Sequence, residues 1–278
     1  MTLNCNGRLL SATRPLVMGI LNATPDSFYA DSRVDSVQQA VDQAGKMLEE
    51  GATFLDVGGM SSRPGATLIS AEEEMERVLP IIAAISATFP KSYVSCDTIY
   101  AATARAAVAA GAAMINDISA GNLDPDLFPS LPELRVPYVL MHMPGKPADM
   151  QKRTDSYGDE VVTKVWDFLA QKLVALRSSG VHDILVDPGW GFGKTVAQNY
   201  ELLRHLHAFK ELGVPLLLGI SRKSSIWRPL GITAAESLPA TTALHLFALQ
   251  QGVDVLRVHD VAEAVQAVHL YELIGARS

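Results

Sequence analysis

The sequence predicts an α/β fold, a (β/α)8 TIM barrel built as a single domain over residues 1–278. Three observations predict it. Eight short apolar runs each end in polar residues, segments with helical spacing separate them, and five of those segments close on a glycine.

The runs are PLVMGILN (15–22), TFLDVGG (53–59), YVSCD (93–97), AMINDIS (113–119), PYVLMH (137–142), DILVD (183–187), PLLLGIS (215–221) and DVLRVHD (254–260). Each has the length of a buried parallel strand, which is apolar on both faces rather than alternating. Between them, Ser36 with Gln39 and Ser70 with Glu73 have capping-box spacing, so each pair marks a helix start. The closing glycines are Gly51, Gly111, Gly180, Gly213 and Gly252, each placed to let a helix end turn back into a strand. After the first strand, NATPDSF lacks the G-x-G-x-x-G that an open doubly wound sheet would favour. No Pro/Ser-rich linker divides the chain. Two long connections, 22–35 and 58–70, are expected to be functional or mobile loops.

The bulk numbers exclude several function classes. A net charge of −7 argues against nucleic acid as the main partner. No window approaches the ~18 uninterrupted apolar residues of a membrane span. The N-terminus lacks the pattern of a signal peptide. Two cysteines, Cys5 and Cys96, make no disulfide framework and suit free thiols, so a cytoplasmic enzyme is expected.

One loop imitates a nucleotide site. In VDPGWGFGKTVAQN (186–199) Gly193, Lys194 and Thr195 match the end of a P-loop, but Pro188 stands where the motif needs its first glycine. The important residue is Asp187. The three glycines turn the backbone at the barrel mouth, Trp190 or Phe192 walls the cleft, and Lys194 is expected to face away.

In such a barrel the active site lies at the C-terminal ends of the strands. Collected there are Asn22, Asp97, Asn116, Asp117, His142, Asp187, the Ser221-Arg222-Lys223 run, Arg257 and His259, with Ser61, Ser62 and Arg63 leading from the second strand. A single Asp at a strand end is more often a helix cap, but eight polar ends together weaken that reading. The set divides by charge. Asp97, Asn116, Asp187 and Lys223 suit a flat heterocycle carrying an amino group, ring N–H groups and a carbonyl. Asn22, Ser62, Arg63, Arg257 and His259 suit an anion or a metal-bound anion.

Six segments in order along nearly the whole chain carry a family resemblance: MGILNATPDSF (18–28), DVGGMSSRPGA (56–66), INDIS (115–119), LMHMPGKPADMQ (140–151), DPGWGFGKT (187–195), and GISRKSSI with LRVHDV (219–226, 256–261). The chain resembles the dihydropteroate synthases of folate biosynthesis, the targets of sulfonamides. The resemblance implies a barrel, a homodimer, and the joining of 4-aminobenzoate to 6-hydroxymethyl-7,8-dihydropterin pyrophosphate with Mg²⁺. By position it assigns Asp97, Asn116, Asp187 and Lys223 to the pterin and Asn22 to the metal. It assigns Arg257 and His259 to the pyrophosphate, with Asp97, Lys223, Arg257 and His259 as the catalytic set. Ser62, Arg63 and Pro64 fall on a loop holding aminobenzoate and pyrophosphate, Ser221 and Lys223 flank the aminobenzoate, and Met141, Phe192 and Gly219 complete the substrate-binding set. The chain departs from the family pattern at Ser62 (usually threonine), Met60 (commonly glutamate), Trp190 (usually phenylalanine) and Ala23 (usually valine). SFYADSR also replaces a more glycine-rich continuation of the first loop.

A rival is a pterin-binding methyltransferase barrel, which would share the pterin residues without needing the anion set. Other features read as structural. Cys96 is expected in the core, His205 and His207 in solvent, and AEEEMER (71–77) as an acidic first turn favoured by the helix dipole. For His142, support of the strand mouth and direct substrate contact both stay open.

Overall fold

The computed structural model describes residues 1–23, 33–61 and 65–275. It opens on an antiparallel hairpin, β1 (Thr2–Cys5) and β2 (Arg8–Ser11). There follow β3 (Leu16–Asn22), α1 (Arg33–Glu49), β4 (Phe54–Gly58), α2 (Ala71–Thr88), β5 (Tyr93–Asp97), α3 (Ala101–Ala109), β6 (Met114–Asp117), α4 (Leu127–Leu134) and β7 (Tyr138–Met141). The second half holds α5 (Val161–Ser178), β8 (Ile184–Asp187), α6 (Val196–Arg204), β9 (Leu217–Leu218), α7 (Ser224–Leu230), α8 (Leu238–Gln250), β10 (Val255–Val258) and α9 (Val261–Gly275).

Eight parallel strands run in the order β8-β7-β6-β5-β4-β3-β10-β9, and a parallel bridge between Val186 and Leu216 brings the two ends together into a barrel. The strands are buried on both faces, as their continuous apolar runs require: β3 is buried from Leu16 to Leu21 and β4 throughout. Every predicted strand is present, several shorter than their apolar runs. The seventh shrinks most, from 215–221 to the pair Leu217–Leu218. All five closing glycines have positive φ, from +67° at Gly213 to +112° at Gly111, as the turn from helix to strand demands.

Two differences have local causes. Ser70 does cap α2, its side chain accepting from the Glu73 N–H at 3.2 Å. Ser36, by contrast, lies inside α1, because the helix already runs at Arg33. The hairpin was not expected. Its turn is Asn6-Gly7 with φ of +53° and +80°, the two-residue connection whose twist matches paired strands. Leu3 and Cys5 of this hairpin are buried against Leu16, Met18, Phe54, Met114, Val139, Leu185, Leu217 and Val255, residues from the barrel strands. The hairpin thus plugs one end of the barrel, and the polar strand ends lie at the other. No described helix is long and apolar enough to cross a membrane.

Candidate active site

The strand ends converge on one polar cluster. Asp97 ends β5, Asn116 lies in β6 and Arg257 in β10. Arg257 Nη2 donates to Asp97 Oδ2 at 2.8 Å, and its Nε donates to Asp56 Oδ2 at 2.6 Å. The same Asp56 oxygen accepts from Asn116 Nδ2 at 2.9 Å. Asp56 is wholly buried, and Asn116 is only 4% exposed. Burial raises the Asp97 carboxyl above the usual carboxylate range. Arg257 opposes that shift, while Asp56, Glu74 and Asp117 add to it.

Nothing at the strand ends points to Asp56. It sits inside the apolar run FLDVG rather than at its end, and an aspartate there was the available signal.

Asp187, at the end of β8, is 5% exposed and its Oδ1 accepts the Gly189 N–H at 2.7 Å. Lys223 precedes α7 and donates to the Trp190 carbonyl, with its Nζ 4.4 Å from the Phe192 ring centroid. Burial, and then Arg257, lower the Lys223 ammonium below the usual lysine value, while Asp187 pulls it back. The expected backbone turn at the glycines is present and tight. A Cβ on Gly189 would lie 1.8 Å from the His142 carbonyl oxygen, and one on Gly191 2.9 Å from Lys223 Cδ. Gly219 lies between Arg257 and Asp187, its ideal Cβ position 3.7 Å from Arg257 Cβ and 4.0 Å from Asp187 Oδ2.

Around this floor Met141 and Phe192 pack with Ile99, Ile118, Met143 and Met150 into an apolar shelf. Ser221 Oγ accepts the His259 N–H at 3.2 Å and lies 3.1 Å from His259 Nδ1, which joins the loops after β9 and β10. A bidentate pair between Arg222 and Asp260, at 2.7 and 2.6 Å, ties the same two loops. Asn22 ends β3 exposed, and its neighbour across the ladder, Gly58, pairs with Asp97. Ser62, Arg63 and Pro64 lie outside the described residues.

Several expectations need correction. Lys194 does not face away: it is 3% exposed, and its Nζ reaches the carbonyls of Gly189 (2.8 Å) and Phe192 (2.9 Å) and His142 Nδ1 (3.1 Å). The lysine of the imitation P-loop is therefore a staple within its own loop. Thr195 caps α6 in a full capping box with Gln198. Trp190 does not wall the cleft; it is 1% exposed and packs edge-on against Tyr200 in the core, leaving the wall to Phe192. His142 is a support residue, with its ring edge-on to Phe168 at 4.8 Å and its Nδ1 on Lys194. The acidic run 71–77 does open α2, with Glu72, Glu73 and Glu74 in its first turn; Glu74 is wholly buried there, and its Oε2 accepts from the Thr98 hydroxyl at 2.5 Å. Cys96 lies in the core as expected, and His207 is exposed.

Comparison with known proteins agrees with this geometry. A family model described as pterin binding enzyme matches residues 18–259. The dihydropteroate synthase of Escherichia coli K12 is 39% identical over 274 residues, covering 98% of this chain and 96% of its own. A structure of Xanthomonas albilineans dihydropteroate synthase with 4-aminobenzoic acid superposes with a TM-score of 0.92 at 44% identity, covering 100% and 99% of the two chains. The enzyme from the same organism in complex with 7,8-dihydropteroate superposes with a TM-score of 0.89 at 41% identity over 100% of both chains. The chain belongs to the pterin-binding enzyme family, among its dihydropteroate synthases.

Proposed function

We infer that the chain condenses 6-hydroxymethyl-7,8-dihydropterin pyrophosphate with 4-aminobenzoate, giving 7,8-dihydropteroate and pyrophosphate. The observation that carries this reading is the floor itself: the acceptors Asp97, Asn116 and Asp187 surround the donors Arg257 and Lys223 at one barrel mouth, beneath the Phe192 shelf. Three acceptors and two cations complement an amino-bearing heterocycle with a carbonyl and an anionic tail.

In the proposed reaction the C–O bond to pyrophosphate breaks and the leaving group keeps the electron pair. Arg257 and His259, with Arg63 from the 58–70 loop, receive that charge. A cationic methylene conjugated to the ring remains, and Asp97 and Asp187 stabilise this charge more than the neutral ground state, which is what accelerates the step. The aniline nitrogen attacks the methylene, held by Ser62, Pro64, Ser221 and Lys223, and then loses its proton to water or to the released pyrophosphate. No side-chain nucleophile takes part.

Asn22 fits the Mg²⁺ expected for such a leaving group. It offers one exposed neutral oxygen at the rim with no hydrogen bond among the described residues, and Mg²⁺ usually completes its shell with water and substrate phosphate oxygens. When bound, the ion supplies further neutralisation of the pyrophosphate. The buried free thiols Cys5 and Cys96 suit a reducing cytoplasm. A homodimer is also part of the proposal: α8 and α9 pack together and expose Phe247, Leu270, Leu273 and Ile274, an apolar face a second copy would cover. Light scattering at twice 29.9 kDa would support the dimer, and the monomer mass would reject it.

The test of the reaction is incubation with the pterin pyrophosphate, with and without 4-aminobenzoate. Dihydropteroate and pyrophosphate in equal amounts, requiring both substrates, are expected. Methyl transfer from methyltetrahydrofolate with no dihydropteroate formed would instead favour the rival barrel.

A further inference from the structure

Asp56 lies beneath the site, and its contacts have a consequence for what the site selects. Its Oδ2 accepts from Asn116 Nδ2 at 2.9 Å and from Arg257 Nε at 2.6 Å, in a position with no solvent exposure. A carboxylate can only accept, so it holds the amide of Asn116 by its NH₂ end. The reverse orientation would set the amide oxygen against the Asp56 oxygen, two acceptors face to face where water is excluded. Among the described residues no group takes Asn116 Oδ1, so that oxygen remains for a ligand.

We propose that Asp56 is a specificity-determining positioning residue: by holding the Asn116 amide nitrogen it presents the amide oxygen to the substrate, so that Asn116 selects a donor on the amino-bearing edge of the heterocycle. The same carboxylate anchors Arg257 by Nε, leaving Nη2 for Asp97. One buried side chain thereby orders an acceptor from β6 and a donor from β10, while Asp97 and Asp187 supply the remaining acceptors. A floor arranged in this way rejects a ring whose amino group is replaced by a carbonyl, because two acceptors would then meet in a buried site.

The inference rests on the pterin reading above, and its test separates the two. Equilibrium binding of 6-hydroxymethylpterin and of its 2-oxo analogue is measured for the wild type, for Asp56→Leu and for the paired variant Asp56→Leu with Asn116→Asp. The wild type is expected to prefer the amino compound by about ten-fold or more, on the scale of one hydrogen-bonding mismatch. In Asp56→Leu nothing holds the Asn116 amide, which can then present either end to the ligand, and the preference falls to within about two-fold. In the paired variant, the carboxylate at position 116 offers only acceptors whatever stands at position 56. The preference therefore returns, although the charge anchoring Arg257 is lost.

Thermal melts of each variant separate this pattern from loss of fold. The paired variant keeps one carboxylate in the cluster, so it remains a test even where Asp56→Leu alone does not fold. A wild type that binds neither heterocycle overturns the functional reading and this inference with it. A folded Asp56→Leu that keeps the full preference, or a folded paired variant that lacks it, overturns the inference alone.

Discussion

Arg257 Nη2 and Asp97 Oδ2 are 2.8 Å apart, joining a cation from β10 to the carboxylate that ends β5. The pair is about four-fifths buried, with side-chain exposures of 19% and 14%. Breaking such a pair is usually costly because it strands one charge. Here Arg257 also holds Asp56, so Asp97→Asn leaves the guanidinium paired. The variant is expected to fold and to lose turnover by about 10²–10³-fold, the scale of removing one electrostatic stabiliser of the transition state. Near-normal pyrophosphate release by a folded Asp97→Asn would refute the role.

Arg257 itself is assigned to the leaving group rather than to the aniline. Arg257→Gln is therefore expected to raise KM for the pterin pyrophosphate by about ten-fold or more, the worth of a charge-assisted contact. KM for 4-aminobenzoate should stay within about two-fold. Steady-state kinetics with each substrate varied in turn checks this, and equal rises for both would argue against the assignment.

Much of this arrangement was legible in the sequence, for physical reasons. A parallel strand buried on both faces leaves a continuous apolar run, and a site at the strand ends leaves a polar residue after each run. Both marks are local. The residues that escaped are fixed by contacts distant in the chain or by a weak local mark. Asp56 meets Asn116 and Arg257 across the barrel, and Lys194 meets His142 from another loop. The hairpin strands of four residues each carry too little pattern, although Asn6-Gly7 marked their turn. Glu74 was within reach, since Glu74, Val78, Ile81, Ile82 and Ile85 form the buried stripe of α2 at helical spacing.

Lys194 tests whether the glycine loop is held from within. Burial, with Asp187 opposing, pushes its ammonium down to about 7, yet it reaches two backbone carbonyls and His142. Lys194→Met removes all three contacts and leaves the Gly189 and Phe192 carbonyls without this donor, a loss of about 2–4 kcal/mol. Because Gly189 N–H also holds Asp187, pterin affinity should fall with stability. Urea titration and pterin binding measure the two effects. A variant as stable as the wild type with unchanged pterin affinity would show that the staple is idle.

Glu74 gives the fold a pH dependence. Burial raises its carboxyl from the ordinary 4.5 to about 7, with the Thr98 hydroxyl lowering it and Asp117 raising it further. Below pH 4.5 the folded and unfolded chains both carry the proton. Between 4.5 and about 7 only the folded chain keeps it, so unfolding releases a proton and stability falls as pH rises. Above about 7 both are ionised and the loss is complete, at most about 3 kcal/mol. Glu74→Gln keeps an acceptor for Thr98 but has no proton to release. Relative to the wild type, its Tm is expected to rise between pH 5 and pH 8, as measured by calorimetry at the two values. A difference in Tm that does not change with pH would mean that Glu74 is already ionised throughout, and that the acidic turn carries its charge into the core.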